Sequence, residues 1–353
     1  MNLLLRLVLV LLLVVVSFAK SSSNETPQSS VSSSSEAAAT KATTTCSAFS
    51  PSSFVKQTLS FSTISKATTS AAFQPQNIMR AWHCHGRNQR ELVDRLNQAG
   101  IVRSPKVKEV MQQVDRQYYV SLVDENDPRH RPANTGSAAP SPYLDAPQAI
   151  GLGQTISAPH MHAHVLEEML PYLLRSNSQP LRILDVGCGS GYLTACLGRW
   201  FQSRERPTGA STPASILGRP GRVFGIDIYP HLVNLTKENI MKKDGDLIQN
   251  GIVQVKVANG WNGWPEEAPF DAIHVGAAAA DFPYELALQL KLGGVLLVPV
   301  GPVGGVQNLY KVERVGEKST NAAAGFVQSD FNIHELLGVR YVPLVQQPGV
   351  QGS

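Results

Sequence analysis

The sequence predicts an α/β protein built on a mostly parallel sheet. After Pro180, strand-like and helix-like segments take turns. The strand segments read as unbroken apolar runs, which marks strands buried on both faces. A glycine-rich turn joins the first of these strands to the helix that follows it.

The elements follow in order. "LRILDV" reads as a strand, Tyr192 to Phe201 as a helix, "RVFGID" as a strand and His231 to Lys243 as a helix. "VQVKVA" and "FDAIHVG" are strands, Pro283 to Leu290 a helix, and "GGVLLVPVG" a strand. Upstream, Leu92, Val93 and Leu96, then Val107, Val110, Met111 and Val114, recur at helical spacing and are split by Gly100 and Pro105, so two short helices are expected there. Two polar, proline- and glycine-bearing stretches, near 124–142 and 204–221, read as inserted surface loops.

The N-terminal part has a different character. Leu3 to Val16 is apolar except for Arg6, and small residues end the run at Ala19. Its length of about 14 residues suits the core of a signal peptide (1–19) better than a membrane span, with an uncleaved anchor as the alternative. Residues 20–76 are rich in Ser and Thr and too polar to offset their ordering entropy, so disorder is expected. Behind a signal sequence this composition points to entry into the secretory pathway and to the two-part address of a complex plastid, or to a plain secreted linker. The folded domain should span 77–346, with 347–353 a C-terminal tail.

Composition excludes several classes. With 353 residues, 42% hydrophobic and 16% charged, the chain can bury one large core or two small ones. A net charge of +4 without dense Lys/Arg runs gives no reason to expect a nucleic-acid partner. The four cysteines form neither a disulfide framework nor a C-x-x-C pair, and His83-Cys84-His85 lacks distant matching ligands, so no metal is expected.

The turn "LDVGCGSG", from Leu184 to Gly191, places Gly187, Gly189 and Gly191 where a backbone must bend sharply and approach a ligand. Its spacing is not that of the dinucleotide fingerprint, G-x-G-x-x-G. Asp185 stands two residues before the first glycine, where a carboxylate would repel a pyrophosphate and favour a cation or an amine. Asp227 closes the next strand, where a carboxylate can take two ribose hydroxyls. Dinucleotide-binding enzymes share that second feature, so this loop alone leaves both classes open.

"QTISAPHMHAHVL" sets His160, His162 and His164 at every second position. A metal fails on geometry: in a helix His160 and His164 share a face that His162 does not, and no carboxylate is spaced to complete the shell. Ser157 reads as the N-cap of a helix reaching about Leu174, with Pro159 in its first turn. Each histidine could equally play a polar or capping role.

The D-x-G-x-G-x-G turn is similar to the first motif of class I S-adenosylmethionine methyltransferases, which have a Rossmann-like, doubly wound, mostly parallel sheet. Longer blocks are more specific. "VDRQYYV", "PYLDAPQAIGLGQTISAPHMHAHVLE", "ILDVGCGSGYLTACL", "VFGIDI", "EEAPFDAIHVGAAA", "LKLGGVLLVPVGP" and "GVRYVPL" resemble, in order, those of the protein-L-isoaspartate (D-aspartate) O-methyltransferases, from about Glu91 to Val345.

The resemblance implies methyl transfer from S-adenosyl-L-methionine to the free α-carboxylate of isoaspartyl residues in damaged proteins and peptides. The ester then closes to a succinimide, which starts repair. It implies that Gln154, Thr155, Ile156 and Ser157 form a loop over cofactor and substrate, with Ser157 at the family's active-site serine. His162, Ser190 and Asp227 fall at cofactor positions, and Gly187 to Gly191 on the methionine side. The family's usual cytosolic setting competes with the leader's address, and a monomer without a membrane domain after leader removal is expected.

Two positions depart from the pattern. Ala258-Asn259-Gly260 stands where the family has Gly-Asp-Gly, so Asn259 would offer the adenine amino group an uncharged acceptor. Val345 replaces a residue that is commonly polar. Rival readings are a methyltransferase acting on a small molecule or another carboxyl, a non-catalytic adaptor on a degraded methyltransferase fold, and a dehydrogenase.

Overall fold

The computed structural model describes residues 84–120, 141–151, 153–175, 180–202, 221–320 and 326–347. The leader, the Ser/Thr-rich segment and nearly all of both inserted loops lie outside the described residues, as does the tail beyond 347.

The two expected N-terminal helices form as α1 (Gln89–Gln98) and α2 (Pro105–Gln113). Each has a side-chain cap: Asn88 accepts from the Glu91 amide, and Ser104 from that of Lys106, with Pro105 in the first turn. A hairpin of β1 (Gln148–Gly151) and β2 (Gln154–Ile156) follows, then α3 (Pro159–Leu173). The alternating part comprises β3 (Arg182–Val186), α4 (Tyr192–Gln202), β4 (Arg222–Asp227), α5 (Pro230–Lys243), α6 (Asp246–Gln249), β5 (Val253–Val257), β6 (Phe270–Val275), α7 (Tyr284–Leu288) and β7 (Leu290–Val300). Two further strands, β8 (Gln307–Arg314) and β9 (Phe331–Val339), complete the sheet.

The sheet order is β5-β4-β3-β6-β7-β8-β9. Pairs from β5 to β7 are parallel, and β8 and β9 add an antiparallel edge. Successive residues of one strand serve opposite faces: Ile183 packs into one apolar cluster with α1–α4, and Leu184 into the other with Phe224, Ile273 and Leu296. Burial on both faces is what made the strands read as continuous apolar runs.

Three details differ from expectation. The helix before β7 is shorter, because the Phe270 amide donates to the Gln289 carbonyl and Leu290 already pairs with Phe270 as strand. The edge strands β8 and β9 have no such apolar run, since many of their residues are only partly buried and charged ones intervene. The third difference is the cap of α3. The carbonyl of Ala158 accepts from Met161 and His162, so the helix starts after Ala158, which has no capping side chain, and Ser157 is not the N-cap.

The segment that follows α2 is pinned to α4 and α5 by a buried carboxylate. Asp244, 2% exposed at the end of α5, accepts from the Tyr119 hydroxyl (2.5 Å) and from Arg199 Nε of α4 (2.8 Å). Asp244→Ala strands the buried Tyr119 hydroxyl and takes one acceptor from Arg199, which keeps Asp246. It should cost about 3 kcal/mol in urea unfolding, and a loss near zero would show that the pin carries no weight.

Candidate active site

At the C-terminal end of β3 the chain turns with Gly187 at φ 75°, Gly189 at 54° and Gly191 at 86°, all in the left-handed region that L side chains avoid. Space demands glycine as well. A Cβ on Gly191 would meet Thr236 Cγ2 at 2.9 Å, and one on Gly276, beyond β6, would lie 2.9 Å from the Gly187 carbonyl. The ends of β3 and β6 thus approach each other backbone to backbone where the strand order reverses, the place where open α/β sheets bind ligands.

The turn is braced from several sides. Gly187 and Cys188 amides donate to the Ile226 carbonyl, Thr236 donates to the Gly189 carbonyl (2.8 Å), and Asn239 to that of Ser190 (3.0 Å). Asp227, at the end of β4, accepts from the Gly189 amide through Oδ2 and from the Tyr229 amide through Oδ1, each at 3.1 Å. Burial raises its carboxyl pKa above 3.8, and these amide hydrogen bonds oppose the rise.

A crevice opens beside this turn. Gly187, Gly189 and Asp227 line one side, with Gly260, Gly276 and Ala277 from the following strand ends. The hairpin contributes Ile150, Gln154 and Thr155. Ile226, Ile228 and Leu232 are apolar, and Val342, Pro343, Leu344 and Val345 from the end of the chain form another wall. Trp261 Nε1 and Asn259 Nδ2 hold that wall by donating to the carbonyls of Leu344 (2.9 Å) and Gln346 (3.0 Å).

Of the residues singled out in the sequence, Gln154, Thr155, Gly187, Gly189, Asp227 and Gly260 come together around the crevice. Ile156, Ser157, His162, Asp185, Ser190 and Asn259 do not line it. Asp185 is 1% exposed and turned inward, with Oδ2 accepting from Thr194 (2.5 Å) and Oδ1 against His274 Nδ1 (2.8 Å). It braces the turn from behind and does not face a cation. Asn259 Oδ1 takes the Trp261 amide (2.9 Å), so the position that departs from the family pattern holds backbone.

His162 packs 4.9 Å from the Tyr192 ring, and burial holds its imidazole well below its ordinary 6.5, hence neutral. The three histidines do not converge, and among the described residues no group of three or more His, Cys, Asp or Glu could hold a metal ion. Ser157 bonds to the Tyr341 hydroxyl, which burial pushes up to about 12. Ser157 thereby joins the loop after β2 to the chain just before the Val342–Val345 wall.

Three participants escaped the sequence reading: Arg116, Asp145 and Tyr341. Asp145 accepts the His160 amide (3.0 Å) and pairs with its ring (2.8 Å), doing for α3 what Ala158 cannot. Only the quoted blocks that contain these residues marked their surroundings.

The crevice fits S-adenosylmethionine on its own chemistry. Glycine backbone lets a ligand approach closely, a carboxylate can accept from hydroxyl groups, and Ile228, Leu232 and Leu344 offer apolar surface to a flat ring.

Comparison with known proteins agrees. The family model for Protein-L-isoaspartate(D-aspartate) O-methyltransferase matches residues 87–349. The protein-L-isoaspartate O-methyltransferase of Triticum aestivum is 38% identical over 258 residues, covering 72% of this chain and 90% of its own. That of Caenorhabditis elegans is 35% identical over 239 residues, covering 67% and 89%. A solved Plasmodium falciparum structure, described as a protein-L-isoaspartate O-methyltransferase in complex with S-adenosyl-L-homocysteine, superposes with a TM-score of 0.56. It is 28% identical and covers 74% of this chain and 100% of that one. With the glycine turn, Asp227 and the family's blocks in one crevice, the chain belongs to the protein-L-isoaspartate(D-aspartate) O-methyltransferase family.

Proposed function

We infer that the chain methylates the free α-carboxylate of L-isoaspartyl and D-aspartyl residues in damaged proteins, using S-adenosylmethionine, and so initiates their repair. The observation that carries this reading is the meeting of the Gln154–Thr155 hairpin and the Val342–Val345 wall with the glycine turn and Asp227 in one crevice. Together with the family blocks, this arrangement favours the reading over a dehydrogenase or a bare adaptor. The adaptor reading rested on Asn259 and on the two inserted loops; the Asn259 side chain stands outside the lining, and nearly all of both loops lies outside the described residues.

Gly187 and Gly189 would hold the cofactor's methionine side, Asp227 its ribose hydroxyls, and Ile228, Leu232 and Leu344 its ring. When bound, S-adenosylmethionine supplies an electrophilic methyl group on a sulfonium. The acceptor needs no strong base, because a carboxyl with a pKa of about 4 is already ionised at neutral pH. The protein's task is therefore to align the carboxylate and keep water away. The Ser157 hydroxyl offers a donor for that carboxylate, with Tyr341 fixing the hydroxyl's direction. Ser157 orients and does not attack.

The purified chain should transfer labelled methyl groups to an isoaspartyl peptide at least about a hundredfold faster than to its normal aspartyl counterpart, since the two differ in where the free carboxylate sits. Equal rates would mean a different acceptor. Ser157→Ala should lower kcat about tenfold, about 1.4 kcal/mol of transition-state stabilisation, while leaving S-adenosylhomocysteine affinity within twofold. Unchanged turnover would remove Ser157 from its role.

A further inference from the structure

The segment from Ser157 to His160 joins the β1–β2 hairpin to α3. The Ala158 carbonyl is taken up by the helix, while the Ser157 carbonyl and the His160 amide are each held by a buried charged side chain from elsewhere. Arg116 is fully buried, and its Nη2 donates to the Ser157 carbonyl (2.9 Å). Asp145 is also fully buried, and its Oδ1 takes the His160 amide (3.0 Å) and faces the His160 ring nitrogen (2.8 Å). One grips the segment at its start and the other at its end.

Neither group is satisfied by these bonds alone. Arg116 Nε and Nη1 and Asp145 Oδ2 are buried and find no hydrogen-bond partner among the described residues. The Arg116 side chain lies 5.5 Å from the centre of the Tyr192 ring, and its amide donates to Gln89 Oε1 (3.2 Å). Burial lowers its pKa to about 10, so it remains protonated at neutral pH. A buried guanidinium with two idle nitrogens weakens a fold relative to an apolar side chain of similar volume. Its presence needs a reason other than packing, and the bond to the Ser157 carbonyl is a specific one.

We propose that Arg116 and Asp145 are positioning residues for methyl transfer: together they clamp the Ser157–His160 segment and so set where the Ser157 hydroxyl meets the substrate carboxylate. The proposal rests on the reading of Ser157 given above. Neither residue lines the crevice, so the clamp acts on the acceptor side and leaves cofactor binding alone.

The test compares the parent with Arg116→Met, Arg116→Lys, Asp145→Asn, Ser157→Ala and the Arg116→Met/Ser157→Ala double variant. It measures kcat and KM on an isoaspartyl peptide, and S-adenosylhomocysteine affinity by calorimetry. Arg116→Met and Asp145→Asn should each lower kcat about tenfold with homocysteine-product affinity within twofold of the parent. Arg116→Lys, which keeps a charged donor, should recover part of the loss. Arg116→Met should have little further effect once Ser157 is alanine, because both changes remove the same alignment.

Turnover of Arg116→Met within twofold of the parent overturns the clamp. So does a parallel loss of product affinity, which marks a merely structural residue, or a fully multiplicative double variant. If Arg116→Met fails to fold, Asp145→Asn carries the same comparison. An impaired Ser157→Ala beside unaffected clamp variants sinks the clamp alone, whereas an unaffected Ser157→Ala sinks the reading beneath it.

Discussion

The site depends on a carboxylate placed where water hardly reaches. Asp227 is 6% exposed, and each of its oxygens takes a backbone amide, one from the glycine turn after β3 and one from the start of the chain beyond β4. The first bond joins the ends of β3 and β4, and the second fixes the carboxylate locally beside the crevice. Burial alone would push the carboxyl towards its neutral form, and the two amides counter that pressure. The glycines complete the arrangement, because the left-handed backbone at Gly187 and Gly189 disfavours L side chains and the close approach at Gly276 leaves no room for one.

The acceptor side follows a different logic. Here the backbone between hairpin and helix is held by side chains from distant parts of the chain: Arg116, Asp145 and Tyr341 all reach the stretch from Ser157 to His160. The reacting carboxylate brings its own charge, so the protein contributes direction and dryness. The chemistry asks for no catalytic dyad, and every rate effect argued for this side is one of alignment.

What could be read from sequence alone follows from which interactions are local. Strands buried on both faces announce themselves as apolar runs, and a turn that needs glycine three times at alternate positions shows it in the letters. Asp227 was legible because it ends such a run. The edge strands β8 and β9 were not, since a half-buried face dilutes the apolar signal. Asp185 was misread for a related reason: spacing placed it next to the turn, but only the fold shows that Thr194 and His274 take its oxygens on the inner side. The N-cap at Ser157 was a sound local reading overridden by a tertiary one, because a hydroxyl that meets Tyr341 and a helix served by Asp145 have no need of each other. Arg116 and Asp145 could not be found by spacing, as each lies too far along the chain from its partner.

The central claim is that Asp227 and the glycine turn make this crevice a site for an adenosyl ligand. Calorimetric titration of S-adenosylhomocysteine into the parent and into Asp227→Ala tests it most directly. The account predicts clear binding to the parent and an affinity at least about tenfold weaker in the variant, one hydrogen-bonded charged contact or more. Equal affinities, or no binding to the parent at millimolar ligand, would contradict it.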